Sequence, residues 1–142
     1  MTIVSAEEKL RSHAQRWRSK RGLRLIYQEL FRAVRNECVE GSILEVGGGF
    51  GSLKEELKSL ISTDIVRMPN LDVVCDTQIL PFVQDSFNNV VAVDTLHHLE
   101  WPLRFFQQVA GVLQYGGRLI LVEPLHLLSE CHHLLLYPHL GA

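Results

Sequence analysis

Residues 43–51 read ILEVGGGFG. An apolar run, Ile43 to Val46, carries one acid at Glu45 and ends in a bend with glycine at 47, 48, 49 and 51. The run predicts a short strand. Beyond the bend, FGSLKEELKSL (50–60) places Leu53, Leu57 and Leu60 on one face of an amphipathic helix. Glycines let a chain turn tightly and let a ligand touch backbone. A helix beginning there offers free N–H groups and a positive dipole end. Such glycines can also serve close strand–helix packing alone, but four at this one position point to a ligand.

The alternation continues outward. LISTDI (60–65), LDVVCD (71–76), NVVAVD (89–94) and GGRLILVE (116–123) predict four more strands. PLRFFQQVAGVL (102–113) predicts a helix, with proline suited to its first turn. Continuous apolar strands alternating with helices predict an α/β fold, with both faces of a mostly parallel sheet covered. Only VRMPN (66–70) separates strands two and three, whereas a parallel crossover normally takes a dozen or more residues, so the direction of strand three stays open. Upstream, 6–37 contains no proline. Leu23, Ile26, Tyr27, Leu30, Phe31 and Val34 recur at helical steps, and Gly22 is the expected break between two helices. The tail LHLLSECHHLLLYPHL (125–140) reads as one helix ended by Pro138.

Composition narrows the class. A chain of 142 residues, 46% hydrophobic and 21% charged, is an ordinary globular domain. No apolar run approaches the roughly 20 residues of a membrane span, and MTIVSAEEKLRSHAQ is no basic-then-apolar leader. Cys38, Cys75 and Cys131 are odd in number and form no C-x-x-C, which fits a reducing cytoplasm. Residues 1–35 carry a net +6 and 36–142 a net −8. The basic segment reads first as a solvated helix face. Only Trp17 interleaves with it, so no nucleic-acid groove is indicated. His126, His132, His133 and His139 lack the four-residue spacing of zinc-binding helices, so no metal is expected.

In open parallel sheets ligands sit beyond the carboxyl ends of the strands. The dinucleotide fingerprint G-x-G-x-x-G fails in both frames, ending on Ser52 or Lys54, and the phosphate-loop motif fails too. The stretch fits E-x-G-x-G-x-G, as Glu45, Gly47, Gly49 and Gly51. Asp64 follows Glu45 by 19 residues at the end of strand two, where a carboxylate can accept from both hydroxyls of a ribose. CDTQILPF, DSFNNVVAVDTLHHL and VLQYGGRLILVEP follow in order. With these motifs, over roughly residues 41–124, the chain resembles the class I S-adenosylmethionine-dependent methyltransferases, and most closely their small-molecule, methyltransferase type 11-like members.

That resemblance implies a Rossmann-like three-layer sandwich, with an N-terminal helical lid over 1–40 and a cofactor-binding domain over 41–142. It implies S-adenosyl-L-methionine as cofactor and S-adenosyl-L-homocysteine as product. The implied contacts are Glu45, Gly47, Gly48, Gly49, Gly51, Asp64, Ile65, Asp76, Thr77 and Asp94, with Asp76 near the adenine. Glu45 would stabilise the sulfonium cation. His97, on the loop after strand four, is the candidate base, and Tyr27 or Arg24 of the lid are candidate substrate contacts. The implied partner is a small-molecule acceptor, without nucleic acid or membrane. Two departures, Asn88 after SF and Tyr115 before the double glycine, fall where no cofactor contact is expected. Complete relatives have seven strands, the last two a hairpin beside strand five. Five strands here imply a chain shortened at its C-terminus, whose open edge a tail helix or a second subunit would cover. The alternative is therefore an inactive methyltransferase-like domain that binds cofactor or a protein. A nicotinamide oxidoreductase has only the fold in its favour.

Overall fold

The structure, a computed structural model, describes residues 3–124 and 132–138. Helices α1 (Ile3–Ser19) and α2 (Arg21–Glu37) precede β1 (Ile43–Val46), α3 (Ser52–Glu56), β2 (Ile61–Asp64) and β3 (Val73–Val74). Then come β4 (Phe87–Val93), a 3-10 turn (Leu96–His98), α4 (Pro102–Val112), β5 (Leu113–Pro124) and β6 (His132–Pro138). The strands form one sheet in the order β3-β2-β1-β4-β5-β6. The first five are parallel, and β6 runs antiparallel to β5.

The apolar strand runs are explained by burial on both faces. Leu44, Val46, Val90, Ala92, Leu119 and Leu121 turn to one side, against Phe105, Val109 and Val112 of α4. Val91, Ile120 and Val122 turn to the other, with Trp17 of α1, Phe31 and Val34 of α2, and Leu53 and Leu60 around α3. Alternate residues of a strand point to opposite faces, so a strand covered twice must be apolar throughout. The N-terminal helices thus build one of the three layers.

Several boundaries differ from expectation. The helix break falls at Lys20, which is extended (φ −107°, ψ 96°), and Gly22 lies in the first turn of α2. Arg24 of α2 donates to the carbonyls of Trp17 (3.1 Å) and Arg18, satisfying groups that the end of α1 leaves open. Helix α3 spans five residues rather than eleven. Strand β3 is two residues long and parallel to β2, pairing Thr63 with Val73 and Asp64 with Val74. Because it is so short, the return path need not span a long strand. Asp72 holds the corner by accepting from Ser62 N (2.8 Å) and pairing with Lys54.

The expected tail helix is overturned over 132–138, where β6 pairs with β5 from Arg118↔Pro138 to Pro124↔His132. Residues 125–131 and 139–142 lie outside the described residues. A strand satisfies the row of N–H and C=O groups on the edge of β5, which a helix laid alongside would not. The edge that gave grounds for a second subunit is thus covered within the chain, and among the described residues the sheet has six strands rather than five.

Of the two sequence departures, Asn88 has a structural role and Tyr115 faces solvent. Asn88 accepts from Ser42 N (3.0 Å) and donates to Gln114 (3.0 Å), clipping the loop before β1. Tyr115 is 91% exposed. Neighbouring Asn89 is wholly buried and bridges Val39, accepting from its N–H and donating to its carbonyl, both at 2.8 Å.

Candidate functional site

A cavity of about 740 Å³ opens beyond the carboxyl ends of β1, β2 and β4. It lies where the strand order turns from β1 to β4, and its size is that of a small-molecule site. Of the residues expected from sequence, Glu45, Gly47, Gly48, Gly49, Asp64, Ile65, Asp76, Thr77 and Asp94 all line it. Gly51 and His97 do not.

The four glycines divide by role. A Cβ at Gly47 would overlap Thr95, at Gly48 it would lie 2.7 Å from Glu45 Oε2, and at Gly51 2.7 Å from Asn70 Cβ. These three are fixed by the protein's own packing. Gly49 has a left-handed φ of +58°, and a Cβ there meets only Leu10 Cδ2 at 3.6 Å. It alone keeps space open towards the cavity, so the packing role that four glycines argued against accounts for three of them. The helix that follows has barely one turn and contributes little dipole, contrary to the expected helix terminus.

Asp64, at the end of β2, accepts from Gly49 N through Oδ2 and from Val66 N through Oδ1, both at 2.9 Å. A carboxylate has about four acceptor positions. Two are used to hold the bend and two remain beside the cavity. Glu45 is only 3% exposed and accepts from the Ser62 hydroxyl. Burial pushes its carboxyl up to about 7, against the opposing pull of that hydrogen bond. Asp76 folds its loop by accepting from Gln78 N (2.8 Å). Between Asp76 and Gln78, Thr77 lines the cavity, and its Oγ1 is buried with no hydrogen-bond partner among the described residues. Asp94 has a positive φ of 52°, rare outside glycine, and accepts from Tyr27 OH at 3.2 Å. Burial and Asp94 push the Tyr27 hydroxyl up to about 12, so Tyr27 acts as a donor.

The adjacent histidines part company. His97 Nδ1 lies 2.6 Å from Glu123 Oε2, and the other oxygen of Glu123 accepts from Thr95 N (3.0 Å) and Leu96 N (2.7 Å). His98 lines the cavity. Its pKa is lowered by desolvation and by His97 and Lys9, which keeps its imidazole neutral and able to accept a proton near pH 7. Sequence reasoning selected the histidine pair but not the member that faces inward. It also missed Ser62, Thr95, Gln78 and Glu123, whose roles depend on contacts between strands. Of the lid residues, Tyr27 lines the cavity and Arg24 instead caps α1.

A methyltransferase-domain family model matches residues 44–121, more than half of the chain. The chain belongs to the methyltransferase-domain family. No curated protein sequence matches it. Among solved structures it is similar to an S-adenosylmethionine-dependent methyltransferase of Thermotoga maritima, a candidate histamine N-methyltransferase. Identity there is 24% and the TM-score 0.73, over 85% of this chain and 61% of that one. A candidate S-adenosyl-L-methionine-dependent methyltransferase of Methanococcus maripaludis gives 15% and 0.70, over 81% and 62%. The [4+2]-cyclase SpnF gives 21% and 0.59, over 67% and 44%. At these identities the likeness is one of fold, and the cyclase illustrates that the fold hosts more than one reaction. This methyltransferase domain spans about three-fifths of the length of the first two structures. No described helix is long and apolar enough to cross a membrane.

The family implies S-adenosylmethionine, and the cavity residues fit it. Asp64 has acceptor capacity for ribose hydroxyls, the unsatisfied Thr77 hydroxyl lies next to Asp76 for a base, and the acids suit a cation.

Proposed function

We propose that this methyltransferase domain binds S-adenosyl-L-methionine and transfers its methyl group to a small-molecule acceptor, releasing S-adenosyl-L-homocysteine. The observation that carries this reading is Asp64, which fastens the Gly49 bend while keeping acceptor positions towards the cavity. In this reading Asp64 holds the ribose, Asp76 and Thr77 hold the adenine, and Gly49 admits the cofactor against backbone. Glu45 and Asp94 face the amino-acid and sulfonium portion. When bound, the cofactor supplies an activated methyl on positive sulfur, open to in-line displacement by an acceptor nucleophile. The chain then contributes position and electrostatics. Tyr27 orients Asp94, helices α1 and α2 exclude water from above, and neutral His98 takes the acceptor's proton where the nucleophile carries one.

Incubation with S-adenosyl-[methyl-³H]methionine and a fractionated cell extract tests the acceptor class. Label is expected in a compound below roughly the size the cavity encloses. Label confined to protein or RNA would remove the small-molecule reading.

A further inference from the structure

The cavity is lined by two sets of opposite charge. Its acids, Glu45, Asp64, Asp76 and Asp94, come from the strand ends and the loops that follow them. The cations are Lys9 and Arg16 of α1, accompanied by two imidazoles of lowered pKa, His13 on the same helix and His98 on the 3-10 turn. On α1 the lining residues are Ala6, Lys9, Leu10, His13, Arg16 and Trp17. Steps of three and four residues put them on one helix face. Arg11 and Arg18 of the same helix do not line the cavity, whereas Lys9 and Arg16 line it at its exposed rim.

The basic groups sense one another. Arg16 and Lys9 both lower the pKa of His13, and Lys9 lowers that of His98. Among the described residues, no ion pair engages Lys9, His13 or Arg16; of the α1 acids, Glu7 pairs with Arg11 and Glu8 with none of the three. From Lys9 to Arg16 the row runs about 10 Å along the helix. One end of it lies within the field of His98.

We propose that the methyl acceptor is an anion, a small carboxylate or phosphate, whose charged end docks on the Lys9–His13–Arg16 face of α1 while its nucleophile faces His98. This rests on the methyltransferase reading, since it assigns the acceptor's part of the same cavity. The cofactor's own carboxylate is a second source of such an anion, and the experiment separates the two.

The probes share one scaffold: 4-hydroxyphenylacetate, its methyl ester and tyramine, being anionic, neutral and cationic. Each is titrated by ligand-observed NMR into the whole chain, with and without saturating S-adenosylhomocysteine. The titrations are repeated with the double variant Lys9→Glu, Arg16→Glu, whose fold is checked by circular dichroism. Partly exposed charge pairs give modest gains, so the acid is expected to bind at least about fivefold more tightly than the ester, with tyramine weakest. The double variant should invert the order of acid and tyramine. Equal affinities, tyramine preferred by the parent chain, no binding of any probe, or an unchanged order in the variant overturns the proposal.

A second arm compares S-adenosylhomocysteine with 5′-methylthioadenosine, which lacks the amino-acid carboxylate. If the double variant weakens only S-adenosylhomocysteine and the probe order is unaltered, the face serves the cofactor and the acceptor proposal falls. If neither nucleoside binds but the probes keep their order, the anion site stands and the methyltransferase reading fails.

Discussion

Asp64 and Glu45 are both carboxylates of the cavity, yet their surroundings set them different tasks. Asp64 is held by two backbone N–H groups, so its charge is stabilised and its geometry fixed. Replacing it with alanine removes acceptors for the ligand and also frees Gly49 N. Charge-assisted hydrogen bonds contribute about 1.5–3 kcal/mol each, so S-adenosylhomocysteine affinity should fall by more than about tenfold. An equally tight variant would take Asp64 out of the site. Glu45 is raised from 4.5 to about 7 by burial. Its folded form therefore holds a proton that the unfolded chain releases, and the associated stability, complete below about pH 4.5, is lost as pH rises through 7. The Glu45→Gln variant should be more stable at pH 8 by up to about 3 kcal/mol, measured by urea unfolding. A cation bound beside Glu45 favours the carboxylate, so S-adenosylmethionine binding near pH 7 should release a fraction of a proton. Calorimetry in buffers of different ionisation enthalpy reads that release, and the glutamine variant should lose it. That both residues lie beside the glycine bend was legible from the E-x-G-x-G-x-G pattern and the 19-residue step to Asp64. Which histidine faces the cavity was not, because Glu123, 25 residues or more along the chain, decides how His97 turns.

At the scale of elements, the glycine bend serves the protein's own packing at three of its four glycines. Its sequence pointed to the cavity that Gly47, Gly48 and Gly49 line, but Gly47, Gly48 and Gly51 are demanded by Thr95, Glu45 and Asn70, neighbours that only the folded sheet supplies. Gly49→Leu is the variant that separates ligand from packing. Its left-handed backbone costs about 1–2 kcal/mol, so the chain should stay folded by circular dichroism while S-adenosylhomocysteine binding disappears. Retained binding would contradict the role given to Gly49. The strand at 132–138 was misread because HHLLLYP is apolar without a clear period, and pairing with the β5 edge outweighs the helical tendency of its leucines. The helix break was misplaced because an arginine from the following helix closes α1, and no local breaker signals that. Asn89 clips the loop into β1 through Val39. Asn89→Ala leaves the half-buried N–H and carbonyl of Val39 unpaired and should cost about 1–3 kcal/mol in unfolding free energy, with little effect on ligand affinity. A variant as stable as the parent would show that water replaces the clip.

For the whole molecule, two apolar layers hold the cavity in place, and the N-terminal helices belong to one of them through Trp17, Phe31 and Val34. The roof of the site is thus part of the core. The α/β class and the mostly parallel sheet followed from apolar runs alternating with helical faces; the strand order, the six strands among the described residues and the short β3 depended on pairing between strands. Phe105, fully buried against β1, β4 and β5, is a test remote from the cavity. Phe105→Ala should cost about 3–5 kcal/mol of stability, and a loss below 1 kcal/mol would mean that the α4 layer packs otherwise. A cavity built this way must take an adenosyl-sulfur cofactor and refuse a dinucleotide. Calorimetric titration of the intact chain with S-adenosylhomocysteine and, in parallel, with NADH decides this most directly. One S-adenosylhomocysteine per chain with no heat from NADH is the expected result. Binding of NADH, or silence with S-adenosylhomocysteine, would contradict it.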